Sequence, residues 1–233
     1  MKKNEEFVRD CGGIQPEIMP NMDTELVFII DRSGSMSGFG EDTIGGFNSM
    51  IDKQKKGEGD VFVSTVLFDN YSQVIHDRVS IKNIKPMTRE DYQVQGCTAL
   101  LDAIGGAIHH IGNVHKYARR EDVPKHTIFV ITTDGMENAS HTYSSARVKE
   151  MIKRQTEKYG WEFIFVAANI DAINTAENIG IRRERAANYR QSRKGYAECY
   201  EAMSTFVTMS RCDEPMLDDV AWKKNLEENE DNE

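Results

Sequence analysis

The chain has 233 residues, 39% of them hydrophobic and 29% charged, with a formal net charge of −9 at pH 7. That balance fits one soluble α/β domain with a sizeable core and short tails, and the acidic excess argues against nucleic acid as a partner. The opening residues carry acids where a secretory signal needs an apolar stretch, and no apolar run approaches a membrane span, so a cytoplasmic address and no membrane contact are expected.

Residues 1–23 read as an N-terminal extension, 24–212 as the domain and 213–233 as an acidic C-terminal tail. Leu26 to Ile30 is a continuous apolar run, the pattern of a strand covered on both faces. It ends in Asp31-Arg32-Ser33-Gly34-Ser35. Ile44, Phe47, Met50 and Ile51 recur at helical spacing and predict a helix over Asp42 to Lys55. Asp60 to Val79 holds two strand-like runs joined by Asp69-Asn70-Tyr71-Ser72, which has hairpin turn chemistry and predicts an antiparallel edge strand. Leu100, Leu101, Ile104, Ile108 and Ile111 predict a helix over Ala99 to Tyr117. Thr127 to Ile131 is a second buried strand, leading into Thr132-Thr133-Asp134-Gly135. Val148, Met151 and Ile152 mark a helix over Ser144 to Tyr159, and Trp161 to Asn169 a third buried strand. A short helix at Ala172 to Asn178, a strand near Arg185 to Tyr189 and a helix from Ser192 to about Ser210 follow.

Strand and helix in alternation predict a doubly wound, mostly parallel six-stranded sheet with one antiparallel edge strand and helices on both faces. Gly45, Gly46, Gly105 and Gly106, inside predicted helices, point to close packing of helix on sheet. Beyond residue 212 acids dominate, and the last twenty or so residues are expected to pack poorly. Cys11, Cys97, Cys199 and Cys212 are scattered without a C-x-x-C pair, so reduced thiols rather than zinc are expected.

In open α/β sheets ligands bind where loops leave the carboxyl ends of the strands. Asp31, Ser33 and Ser35 fall there, and their alternation can turn three oxygens to one side of an extended turn, as a hard cation requires. Asx turns and helix caps use the same residues. Two further oxygen-bearing segments weigh toward a cation: Thr98 precedes a helix, and Thr133-Asp134-Gly135 ends a buried strand.

In these three segments the chain resembles a von Willebrand factor A domain with a metal-ion-dependent adhesion site (MIDAS). The signatures of that family are D-x-S-x-S, a threonine before a helix, and T-D-G at the end of the fourth strand. The resemblance runs from about Thr24 to Ser210, and "GFNSM" with "TDGMENAS" is similar to bacterial intracellular members. It implies a non-enzymatic module with a Rossmann-like sheet. Ser33 and Ser35 are then direct hydroxyl ligands, Thr98 a direct or water-linked one, and Asp31 and Asp134 carboxylates acting largely through bound water. Magnesium suits such a set, with manganese or calcium as substitutes. The implied partner is a protein presenting Asp or Glu to the ion.

The main rival is a magnesium-dependent phosphatase of haloacid dehalogenase-like type with Asp31 as nucleophile. Those enzymes commonly need a second acid two residues on, and Ser33 stands there. No G-x-G-x-x-G, G-x-x-x-x-G-K-[ST] or G-x-S-x-G element occurs to support nucleotide binding or serine hydrolysis. His109, His110 and His115 make a poor metal set and are expected to serve packing or surface roles. The basic stretch Arg182 to Lys194 reads as a solvated face, and Glu137 as a rim residue or a cap of the helix that follows it.

Overall fold

The apolar runs become strands and the periodic segments become helices. The structure, a computed structural model, describes residues 22–212 and 219–228. Residues 1–21, with Cys11, and stretches 213–218 and 229–233 of the expected tail lie outside these. In chain order the elements are β1 (Met22–Asp31), α1 (Gly40–Gln54), β2 (Asp60–Phe68), β3 (Ser72–Ser80), α2 (Leu100–Tyr117) and β4 (His126–Thr133). Then come α3 (Ser145–Tyr159), β5 (Glu162–Ala167), α4 (Ala172–Asn178), β6 (Ala186–Asn188), α5 (Arg193–Ser210) and α6 (Lys224–Glu228).

The strands form one six-stranded sheet in the order β3-β2-β1-β4-β5-β6. Only β3 runs antiparallel, against β2, as its hairpin requires; the remaining pairs are parallel. Successive side chains of a strand point to opposite faces, and β1 divides accordingly. Leu26, Phe28 and Ile30 join Phe47 and Met50 of α1 and Met203 and Phe206 of α5 in one core. Val27 and Ile29 face Ile104 and Ile108 of α2, Val148 and Ile152 of α3, and Ala172 and Ala176 of α4. Burying each large apolar side chain contributes about 1.5–3 kcal/mol, so both layers are held on the sheet. The fold is the doubly wound α/β arrangement expected from the sequence.

The four helix glycines do not pack on the sheet as expected: a Cβ on Gly45 or Gly106 would meet nothing within 4 Å, and Gly46 and Gly105 abut tyrosine rings. A Cβ on Gly46 would lie 2.2 Å from the Tyr200 ring of α5, and one on Gly105 would lie 2.4 Å from the Tyr143 ring. Both close approaches are to side chains of a neighbouring helix or loop.

At the end of the sheet where β1 begins, Glu25 is fully buried and is held by Arg78 at 2.8 Å and His115 at 3.5 Å. His109 meets the Tyr143 hydroxyl at 3.3 Å and His110 meets Asp77 at 2.8 Å, so the three histidines serve three separate contacts. Edge strand β3 is irregular. Its pairing with β2 shifts between Val63 and Val66, and Arg78 takes a positive φ of 50°.

Two expectations need correcting. The basic stretch is not merely a solvated face, because the Arg185 side chain is only 5% exposed, bonds Glu162 at 2.9 Å and Asp219 at 3.1 Å, and lies over the Phe206 ring. Nor is the acidic end wholly poorly packed. Trp222 and Leu226 are buried in the core on the α5 side, and Trp222 meets Phe206 edge-on. The Lys223 ammonium donates to the carbonyls of Arg183 and Ala186. Trp222 and Leu226, four apart, thus dock this segment together with the polar contacts of Arg185 and Lys223.

Trp222→Ala should therefore destabilise the protein by about 3 kcal/mol, the scale of losing a buried aromatic side chain. Urea unfolding checks this, and an unchanged midpoint would show that the segment does not belong to the core.

Candidate metal site

From β1 the chain crosses to β2 on one side, and β4 lies on the other. At such a reversal the loops diverge and leave a crevice at the carboxyl ends of the strands. Asp31 is the last residue of β1 and Thr133 the last of β4. The Thr133 hydroxyl donates to Asp31 Oδ2 at 2.5 Å, and the Ser33 amide donates to Asp31 Oδ1 at 2.6 Å. The fully buried Asp31 carboxylate thus has a bond to each oxygen, and the Tyr92 hydroxyl donates to the Asp31 backbone carbonyl at 2.5 Å.

Above this acid stand the hydroxyls. Ser33 Oγ and Ser35 Oγ are 2.9 Å apart. Gly135 shows how closely the three loops converge: a Cβ there would lie 2.9 Å from Thr98 Oγ1, 3.0 Å from Ser35 Oγ and 3.7 Å from Ser33 Oγ. A glycine at this position leaves that cradle open. Asp134 adds a carboxylate whose Oδ2 accepts from Gln191 Nε2 at 2.8 Å, while its Oδ1 is buried without a hydrogen-bond partner. The structure thus brings Ser33, Ser35 and Thr98 together around Gly135, with Asp31 beneath Ser33 and Asp134 next to Gly135.

The electrostatics leave negative charge uncompensated. Burial raises the Asp31 carboxyl above its ordinary range, against the lowering effect of Thr133 and Ser33, and the Asp134 charge adds to the rise. Burial likewise raises Asp134, against the lowering effect of the nearby Ser35 hydroxyl and of the Gln191 amide. Arg32, next to Asp31 in the chain, is engaged with Asp69 at 3.0 Å and with Gln73. A buried carboxylate oxygen with no donor is costly, and a cation among hydroxyl donors would relieve it. The residues present therefore fit a hard divalent ion. Among the described residues no three His, Cys, Asp or Glu side chains gather into a metal-binding group; the donors here are mostly hydroxyls.

The loops are held by bonds that motif reading misses. Gly34 N donates to Gly96 O at 3.0 Å, and Gln95 N to Arg32 O at 2.9 Å. Thr98 is clamped on both sides: its amide donates to Asn138 Oδ1 at 2.9 Å, and its carbonyl accepts from Asn138 N at 3.0 Å. Glu137 does not cap the helix that follows it, where Ser144 serves; it caps α2, accepting from the amide of Leu101 and, in its own loop, from those of Ala139 and Ser140 at 2.8–3.0 Å. Its charge sits at the positive end of α2. Asp102 returns the interaction, accepting from the amides of His141, Thr142 and Tyr143. A run of Glu, Asn and Ser before a helix is the available sequence signal for this lacing. Gln191 carries none. Cys97 is exposed, and its amide donates to Asn70 Oδ1 at 2.8 Å.

No protein-family profile and no curated protein matches the chain. Solved structures do resemble it. Proximal thread matrix protein 1 from the mussel byssus, in a form with a zinc-occupied MIDAS motif, has a TM-score of 0.54 and 16% identity, covering 81% of this chain and 46% of its own. A von Willebrand factor type A protein from Catenulispora acidiphila gives 0.52 and 12%, covering 79% of this chain and 42% of its own. The von Willebrand factor domain of the type V pili tip protein Mfa5 from Porphyromonas gingivalis gives 0.57 and 9%, covering 86% and 100%. The chain thus spans less than half the length of the first two. These likenesses show a von Willebrand factor A-like fold.

Asp102 offers a test of the lacing. Burial works against its ionisation, but the amides of His141, Tyr143 and Thr142 win and hold its carboxyl below the ordinary range. A depressed folded value means stability that is full above the unfolded value of about 3.9 and lost as pH falls through the folded one. Asp102→Asn should be less stable than the parent at pH 7, with the difference shrinking below about pH 4. Urea unfolding at both pH values reads this, and a difference independent of pH would contradict it.

Proposed function

We propose that the protein is a divalent-metal-dependent protein interaction module. In this reading Ser33, Ser35 and Thr98 supply hydroxyl ligands, and Asp31 and Asp134 supply the balancing carboxylates. The observation that carries it is the convergence of the three hydroxyls on the open side of Gly135, next to a buried Asp134 oxygen that lacks a partner. The resident ion is magnesium, which tolerates few carboxylates and retains waters; manganese or calcium could substitute. When bound, the ion supplies an electrophilic position for an Asp or Glu presented by a partner protein.

This chain's own residues explain why the position stays electrophilic. Neutral hydroxyls surround it, and both Asp31 oxygens are already engaged by Thr133 and the Ser33 amide. Asp31 therefore acts from below, orienting Ser33 and offsetting charge. The zinc-occupied MIDAS of the byssus protein is a precedent for metal in this fold, although fold alone does not assign function.

We read the protein as non-enzymatic. A phosphatase nucleophile at Asp31 needs an oxygen free to attack, whereas this carboxylate is 0% exposed and bonded at both oxygens. No observation favours that second reading. A cytoplasmic, bacterial setting follows the sequence resemblance; on the structural side, no helix among the described residues is long and apolar enough to cross a membrane.

Isothermal titration of Mg2+ into chelator-stripped protein tests the proposal. Saturable binding is expected in the parent, and a loss of about tenfold or more in Gly135→Ala, whose new methyl displaces the hydroxyls. Asp31→Asn should bind still more weakly, with circular dichroism showing retained structure. Equal binding by all three proteins would refute this ligand set, and magnesium-dependent phosphate-ester hydrolysis lost in Asp31→Asn would promote the phosphatase.

A further inference from the structure

Gln191 lies outside every motif, yet it touches the site twice. Its Nε2 donates to Asp134 Oδ2 at 2.8 Å and to the Ser35 carbonyl at 3.3 Å. The amide thus ties the β4 loop to the β1 loop from a third direction, the turn between β6 and α5. That turn is well anchored. On one side the Tyr189 amide donates to Ala167 O at 2.9 Å, and on the other Ser192 caps α5 by accepting from the Gly195 amide at 3.0 Å. The Ser192 amide donates to Arg190 O at 2.8 Å. Gln191 is therefore presented by a braced segment.

We propose that Gln191 is a positioning residue that sets the ion selectivity of the site, favouring magnesium over calcium. The inference rests on the metal-site reading above. Calcium takes six to eight oxygens and gains from bidentate carboxylates, whereas magnesium demands a compact octahedron with one or two carboxylates and keeps its waters. Selectivity between them depends on how many carboxylate oxygens the site can offer. Both Asp31 oxygens accept hydrogen bonds, and Gln191 occupies one of the two on Asp134. Asp134 Oδ1 is the one oxygen of the two acids left without a donor. With the amide in place Asp134 cannot turn to offer both oxygens, and the Ser35 carbonyl, another potential oxygen ligand, is held by the same group. Removing the donor frees two oxygens at once, and those are what the larger ion lacks.

Gln191→Met keeps the length of the side chain and removes the donor. Calorimetric titration with Mg2+ and with Ca2+, each alone, gives the ratio of affinities for parent and variant. The parent should prefer Mg2+, and in Gln191→Met the ratio should move toward Ca2+ by about tenfold or more, within the range that outer hydrogen bonds exert on metal affinity. Gln191→Glu, which cannot donate and adds a carboxylate, should move it the same way. A parent that binds Mg2+ with an unchanged ratio in both variants overturns the selectivity role and leaves the metal site standing. A parent that binds neither ion overturns both.

Discussion

The hydrogen bond from the Thr133 hydroxyl to Asp31 holds this molecule's chemistry in place. It joins the last residues of β1 and β4, the two strands at which the order of the sheet reverses, and does so at 2.5 Å between buried atoms. Every other part of the site is measured from this joint. Asp31 orients Ser33 through its amide, Thr133 presents Asp134 and Gly135, and the loop that bears Thr98 is fastened to both. Without the parallel register that sets Ile30 beside Thr132, the acid and the hydroxyl would not meet.

The cost of this arrangement is electrostatic. Two carboxylates approach each other in a setting from which water is largely withdrawn, and both are driven toward the neutral form by burial. The fold limits the strain by supplying short local donors, amides and hydroxyls, in place of basic side chains. An arginine or lysine at the same place would stabilise the acids more strongly and fill the space. The use of neutral donors leaves a role open for a small cation.

Much of this was readable from residue order. Leu26–Ile30 and Thr127–Ile131 announced themselves because strands covered on both faces leave no polar alternation to confuse the pattern. Asp31, Ser33, Ser35, Thr98 and Asp134 stood out because oxygen donors clustered where apolar runs stop. What escaped notice depends on tertiary geometry. Gln191 reaches an acid 57 positions away, and its placement is set by a strand of only three residues, β6, too short to show periodicity. Trp222 and Leu226 had a helical spacing, but the surrounding acids outweighed it in any reading by composition. Glu137 suits a cap of the helix after it, yet its partner is the helix before it in the chain, a pairing that only the folded loop reveals.

The two borders of the sheet are finished differently. A strand with a bare side can recruit a strand from another molecule and seed ordered stacking. At β6 the Lys223 ammonium already occupies the Ala186 carbonyl. At β3 the shifted pairing and the positive φ of Arg78 break the regular comb of donors that an incoming chain would need to match. Both borders of the sheet thus lack the even, unbroken row of free backbone groups to which a further strand would add.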